Sequence, residues 1–219
     1  MPLWKWDKDR FHKLDFSNRL NKEVVIVGSG PSLNDVDVDS LHRCGKIIVS
    51  VNRACFKVEP HIWVTMDAPK YWQPPQEVWD GRFVKIVRGN FAEEKIGDQL
   101  LKTKPHVLFA DIDGSPPENS FNTENKSFGW GQRNSMLAAL SIVTWMGAKR
   151  ISLLGCDLGG NQAHFNVKSP ICEKDRIMFE QIKNGLKSFV SKAKENGVEV
   201  ISSTPGSPIN EIMPYKMAV

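Results

Sequence analysis

Short apolar runs closed by polar or glycine turns recur along the chain. The first is Glu23-Val24-Val25-Ile26-Val27, which stops at Gly28. A continuous run of β-branched residues of this length predicts a parallel strand buried on both faces. The pattern returns at 46–51, 61–66, 82–87, 106–110, 150–154 and 198–202. Between some of these runs the spacing changes to that of a helix. Leu137, Leu140, Ile142, Val143 and Met146 predict a helix over 132–146, closed by Gly147. Ile177, Met178, Ile182, Leu186, Phe189, Val190 and Ala193 predict a second over 173–195, closed by Asn196-Gly197. Residues 8–21, polar with Phe11, Leu14, Phe16 and Leu20, predict a short amphipathic N-terminal helix.

Strands alternating with helices predict an α/β class: a Rossmann-like, largely parallel sheet with helices on both faces. The 219 residues fit a single nucleotide-binding domain, 1–219. Two stretches lack periodicity, 111–131 and 159–170. The second follows a strand end directly and reads as a short lid-like insert.

In a parallel sheet, ligands sit beyond the carboxyl ends of the strands. The predicted ends place Ser29 and Ser32 after the first strand, Asn52 after the second, Asp67 after the third and Asp157 after the sixth. Asn134 and Ser135 open the helix before that sixth strand, a second place where unpaired N–H groups favour an anion. Gly28 and Gly30 let a phosphate or ribose approach the main chain. Pro31 suits the first position of a helical turn, and Ser32 offers a hydroxyl there. Asn52 carries a donor and an acceptor. Asp67 and Asp157 accept from ribose hydroxyls or hold a metal; bracing a loop is the other role open to Asp157. His164, in the 159–170 insert, is either a solvent-exposed loop histidine or a general base beside the ligand edge. Trp72 and Trp79 share a helical face and suit packing, whereas Trp130 is placed to pack or to stack on a base or sugar.

Several classes are disfavoured. Leu33 stands where the third glycine of a dinucleotide fingerprint belongs, and Asn52 where its acidic residue belongs. There is no P-loop motif. The net charge of +4 is small and spread, with no basic stripe, so nucleic acid is not indicated. No run is long and apolar enough for a transmembrane helix, and the N-terminus lacks a secretory signal, so a cytoplasmic protein is expected. Cys44, Cys55, Cys156 and Cys172 have no metal-site spacing and read as free, buried thiols.

The stretch Val25-Ile26-Val27-Gly28-Ser29-Gly30-Pro31-Ser32-Leu33 resembles the opening of the bacterial CMP-sialic-acid-dependent sialyltransferases. It equally resembles the related family that contains the archaeal 6-hydroxymethylpterin pyrophosphokinase. The resemblance continues through Val51-Asn52-Arg53, Gln132-Arg133-Asn134-Ser135, 147–157 and Pro205-Gly206-Ser207. It implies that Gly28, Ser29, Gly30, Asn52, Ser135 and Asp157 surround a nucleotide. It also implies that His164 lies near the histidine base of the sialyltransferases, whose donor is a CMP-sugar and which need no metal. The lid tyrosines of that family, which help the phosphate leave, have no counterpart in the insert; the only tyrosines are Tyr71 and Tyr215. The expected function is a glycosyltransferase with a nucleotide-sugar donor as substrate, a hydroxyl acceptor and no cofactor. Two alternatives stand beside it. One is pyrophosphoryl transfer from ATP to a pterin-like alcohol, with Mg²⁺ on Asp67 and Asp157. The other is a non-catalytic nucleotide-binding module.

Overall fold

The computed structural model describes residues 3–122, 124–131, 134–159 and 162–217. Nine strands form one sheet: β1 (Leu3–Asp7), β2 (Arg10–Leu14), β3 (Glu23–Val27), β4 (Ile47–Val51), β5 (Ile62–Thr65), β6 (Val84–Arg88), β7 (Val107–Ala110), β8 (Arg150–Leu154) and β9 (Glu199–Ser202). Their order across the sheet is β9-β8-β3-β4-β5-β6-β7-β1-β2. The strands from β9 to β7 are parallel, and each apolar run read from the sequence is one of them.

Alternation along β3 shows why these runs are apolar throughout. Val24 and Ile26 face one layer, Val25 and Val27 the other, and all four are fully buried. The first layer holds two long helices, α1 (Ser135–Trp145) and α2 (Glu173–Glu195). The opposite face is covered by short pieces: the turns Pro31–Asp35 and Asn52–Phe56 and the helix Val38–Arg43 over Val25, Val27 and Ile48. Further along, Trp79 packs edge-on against Trp63, with ring centres 5.1 Å apart. The α/β architecture is therefore as expected, with helices on both faces.

Two local expectations fail. Residues 8–21 do not form a helix. β1 and β2 make a hairpin whose two turn residues, Lys8 and Asp9, have φ of 49° and 61°. Two consecutive left-handed residues suit the tight turn that matches strand twist. Trp6 and Phe11 pair across the hairpin at 4.9 Å, and Phe11 meets Phe109 at 5.6 Å, so an aromatic ladder fixes the added strands. The helix expected over 132–146 is present as α1, which is buried on every side. The irregular stretch 111–131 supplies the outer cover: Phe128 is fully buried against Trp145, and Phe121 packs on the same core. That stretch is structural cover over α1. The second failed expectation is the Trp72–Trp79 helix, which is broken into Pro69–Trp72 and Gln76–Asp80 by Gln73, at φ 43°. The side chain of Trp72 lies outside the described residues.

The insert is a small antiparallel hairpin, Gln162–His164 with Val167–Pro170. It folds back onto the end of β3, where the Phe165 N–H donates to the Ser29 carbonyl at 2.9 Å. Among the described residues no helix is long and apolar enough to cross a membrane. All four cysteines are free, but only Cys156 is buried; Cys172 is exposed and Cys44 and Cys55 are half-buried, which corrects the expectation of uniformly buried thiols.

Candidate active site

The strand ends of β3, β4, β5 and β8 open onto a cavity of about 380 Å³. Nine of the expected residues line it: Gly28, Ser29 and Gly30 on one wall, Asn52 and Asp67 on the next, Asn134 and Ser135 at the start of α1, and Asp157 and His164 after β8. Pro31 and Ser32 do not line it. Pro31 opens a 3-10 turn, and the Ser32 hydroxyl is turned away to donate to Asp157 at 2.8 Å.

Glycine is required at the junction of β3 and β8 for packing. The Gly28 N–H donates to the Leu154 carbonyl at 2.7 Å, and the Gly30 N–H to the Gly155 carbonyl at 2.8 Å. A Cβ on Gly28 would stand 2.6 Å from the Gly155 oxygen, and one on Gly30 would stand 1.9 Å from Asp157 Oδ2. Asp157 also accepts from the Ser32 N–H, at 3.2 and 3.3 Å to its two oxygens. Its role as a brace for the glycine turn is thus realised while it lines the cavity. Burial pushes its carboxyl above the usual range, against the pull of the Ser32 donors. Behind it, Thr204 and Ser207 fasten the strand end: Thr204 Oγ1 accepts from the Cys156 N–H at 3.1 Å, and the Ser207 hydroxyl donates to the Cys156 carbonyl at 2.7 Å.

Across the cavity, Asn52 sits at φ 50°, a left-handed conformation that asparagine tolerates better than most residues. Its Nδ2 donates to Asp67 Oδ2 at 2.8 Å, and its main-chain oxygen accepts from the Trp63 indole at 2.9 Å. Asn52 Oδ1 is buried and has no hydrogen-bond partner among the described residues. The Ser135 hydroxyl accepts from the Met66 N–H at 3.3 Å and faces Asp67 Oδ2 at 3.4 Å. The expectation of open N–H groups at this helix start is corrected. Asn134 Oδ1 caps it, accepting from Met136 at 2.9 Å and Leu137 at 3.3 Å.

His164 is half-buried rather than a solvent-exposed loop residue. Its Nδ1 lies 3.0 Å from Ser29 Oγ. Burial holds its imidazole below the ordinary histidine value; Arg53 adds to this, and Asp175 and Asp67 partly oppose it.

The sequence reading missed part of the lining. Met178, Phe179 and Ile182 of α2 form an apolar wall, and Arg53 and Tyr71 complete the rim. The first three look like ordinary core positions of an amphipathic helix, so periodicity gave no signal for them. Tyr71 lies after the end of β5, just past Asp67, where the rule on strand ends applies. It is 78% exposed and also borders a second cavity of about 420 Å³ with Asp67, Lys70, Arg88, Glu94 and Trp130. Trp130 lines that second cavity rather than the first, and its ring carries the Arg88 guanidinium 4.4 Å from its centre.

With this geometry in hand, two solved structures are similar over most of the chain. One is the sialyltransferase CST-II in complex with a trisaccharide acceptor and CMP: 15% identity, TM-score 0.54, covering 89% of this chain and 86% of that one. The other is CstII from Campylobacter jejuni in complex with a substrate analogue, CMP-3FNeuAc: 14% identity, TM-score 0.52, covering 90% and 86%. The fold is sialyltransferase-like. No protein-family model and no curated protein matches the sequence. At this identity the likeness is one of fold, and the sialyltransferase-like architecture puts the cavity at the carboxyl edge of the parallel strands, where such sheets bind ligands.

Proposed function

We propose that this chain is a glycosyltransferase that moves a sugar from a nucleotide donor, a CMP-sugar, to a hydroxyl acceptor. The observation that carries the reading is His164, held at the rim of a cavity whose opposite walls are the glycine turn and the Asn52–Asp67 pair. A cavity of about 380 Å³ is within the usual range for a small-molecule site. Gly28, Ser29 and Gly30 receive the phosphate side of the nucleotide; Asn52, Asp67 and Ser135 receive the nucleoside. The neighbouring structures hold CMP, a CMP-sugar analogue and a trisaccharide acceptor, which supports the choice of donor and acceptor class.

The second cavity, sharing Asp67 and Tyr71 with the first, takes the acceptor. His164 accepts the proton of the acceptor hydroxyl as the new glycosidic bond forms. The bond from sugar to phosphate breaks, and its electron pair leaves with CMP. Tyr71, which borders both cavities, supplies the phenolic hydroxyl that steadies the departing phosphate. The reading invokes no metal: Asp67 is occupied by Asn52, and Asp157 by Ser32. Four free cysteines suit a cytoplasmic setting.

Thermal unfolding in the presence of CMP, CDP, UDP, GDP or ATP, each with and without Mg²⁺, tests the reading. A ligand that binds only the folded chain raises its melting temperature. Stabilisation by CMP without metal is expected. Stabilisation by ATP with Mg²⁺ alone would replace the reading with pyrophosphoryl transfer, and no response to any nucleotide would leave a non-catalytic module.

A further inference from the structure

We propose that Arg53 is the phosphate-binding cation of the nucleotide site, and that its guanidinium balances the charge the phosphate gains as the sugar leaves. The inference rests on the glycosyl-transfer reading and adds to it the group that carries the leaving charge.

Strand register sets the geometry. β3 pairs in parallel with β8 on one side and β4 on the other, Val27 standing beside Leu154 and Ser50. Three residues on from each of these lie Gly30, Asp157 and Arg53, and all three line the cavity. The glycine turn therefore has a carboxylate at the end of one neighbouring strand and a guanidinium at the end of the other. Asp157 is drawn to the turn by the Ser32 N–H and hydroxyl. Arg53 belongs to the tight turn Asn52–Phe56, which is pinned at its start: the Asn52 carbonyl accepts from the Trp63 indole at 2.9 Å and from the Cys55 thiol at 3.2 Å. The left-handed φ of Asn52 bends the chain at this point, and Arg53 follows it, half-buried at the rim.

Among the described residues that line the cavity, the side chains charged at neutral pH are Arg53, Asp67 and Asp157. Two carboxylates repel an entering phosphate, and Arg53 is the cation that attracts it. After burial, Arg53 is the strongest influence on His164, so its charge is felt on the side of the cavity where His164 Nδ1 meets Ser29 Oγ. That is the side on which the glycine turn receives the phosphate. A guanidinium also suits the ligand in shape, since its planar fork can donate to two phosphate oxygens at once.

The chemistry makes this charge more useful late in the reaction than early. The phosphate of a CMP-sugar is a diester with one negative charge. In transfer the bond from the sugar carbon to the phosphate oxygen breaks, and both electrons stay on that oxygen. The acceptor oxygen bonds the sugar carbon and gives its proton to His164. The phosphate of the departing CMP is then a dianion at neutral pH. The added charge develops beside Arg53, so the pair is stronger in the transition state than in the bound donor, which is the condition for raising kcat. The same step turns His164 into an imidazolium, whose repulsion from Arg53 the new phosphate charge offsets. Tyr71, the other group placed at the departing phosphate, donates a hydrogen bond but brings no charge.

The test is calorimetry of the whole chain with CMP and with cytidine, which lacks the phosphate. Arg53→Gln is expected to weaken CMP at least tenfold, the scale of a lost hydrogen bond between charged groups, and to change cytidine less than threefold. Arg53→Lys, which keeps the charge without the fork, should recover most of the loss. Added NaCl should weaken CMP more steeply in the wild type than in Arg53→Gln. In turnover, Arg53→Gln should lower kcat at least tenfold. Equal losses for CMP and cytidine overturn the proposal, because Arg53 would then serve the nucleoside or the fold. Wild-type CMP affinity in Arg53→Gln, or CMP no tighter than cytidine in the wild type, overturns it as well. If cytidine binds too weakly to compare, Arg53→Lys decides, and a loss as large as that in Arg53→Gln goes against the charge. A wild-type chain that binds neither ligand defeats the nucleotide reading and the proposal together, whereas CMP binding indifferent to Arg53 defeats the proposal alone.

Discussion

Gly30 and Asp157 share one space: a Cβ on Gly30 would lie 1.9 Å from Asp157 Oδ2 and 2.7 Å from the Gly155 carbonyl. The contact couples the glycine turn after β3 to the end of β8. Gly30→Ala must therefore push the carboxylate off Ser32. The expected cost is on the order of 1–3 kcal/mol of stability, as for other overpacked sites. Nucleotide affinity should fall with it. Denaturant titration of Gly30→Ala, Asp157→Ala and the double variant checks the coupling, because the double variant should lose less than the sum. Strict additivity would show that the two residues are independent.

Asn52 combines a left-handed backbone with a side chain that spans to Asp67. Asn52→Gly keeps the backbone and deletes the side chain, whereas Asn52→Ala adds backbone strain. Both should weaken CMP binding at least several-fold by calorimetry. Only Asn52→Ala should lower stability further, by about 1 kcal/mol relative to Asn52→Gly. Wild-type affinity in both would place the nucleotide elsewhere.

These two sites also show what the sequence carries. The apolar runs and their glycine stops were enough to put Gly28, Ser29, Asn52, Asp67 and Asp157 at one sheet edge, because a parallel strand buried on both faces leaves few other patterns. The hairpin at β1–β2 was hidden: Phe11, Leu14, Phe16 and Leu20 mimic helical spacing, and the deciding contact is with Phe109, far along the chain. The cap that Asn134 makes and the brace that Ser32 makes were not legible for a related reason. Residue type showed hydroxyl and amide groups at helix starts, but whether they face a ligand or their own backbone is decided by tertiary geometry. Met178 and Phe179 entered the site unannounced because an apolar wall and a core face share one periodicity.

Lys85 on β6 is fully buried, and its ammonium donates to the carbonyls of Gly81 at 2.5 Å, Phe83 at 3.2 Å and Pro105 at 3.4 Å. Burial pushes its pKa down from 10.5 to about 8, with Asp80 opposing and Lys104 assisting. Between those values the unfolded chain binds the proton and the folded chain does not. Stability therefore rises with pH across that window, by up to about 3 kcal/mol. Lys85→Met should lack this rise. Unfolding free energies of both proteins between pH 7 and about pH 10.5 test it, and parallel curves would mean that Lys85 titrates normally.

Under the glycosyl-transfer reading, His164→Ala should lower kcat by about 10²-fold, the scale of a lost general base. CMP affinity should change little, since the ring serves the acceptor. Tyr71→Phe should lower kcat with donor KM unchanged, because its hydroxyl acts on the departing phosphate. Steady-state kinetics on an acceptor with verified product decide both. Full activity in His164→Ala would remove the base from the mechanism.

The titration of His164 gives the reading its sharpest test, because it needs no substrate. Burial is the largest influence on the ring and lowers its pKa, so the midpoint should lie below the ordinary value of 6.5. The base form is then dominant at neutral pH, and transfer should rise with pH through that lower midpoint and then level off. Arg53 disfavours the imidazolium, whereas Asp175 and Asp67 favour it. Arg53→Gln should therefore move the midpoint up, and Asp175→Asn should move it down. Proton NMR of the imidazole C2 signal across pH 4 to 8 reads both shifts on the unliganded chain. Shifts of the same sign in the two variants would mean that the ring is not placed between these charges, and a midpoint above 6.5 in the wild type would mean that Asp175 and Asp67 outweigh burial and Arg53.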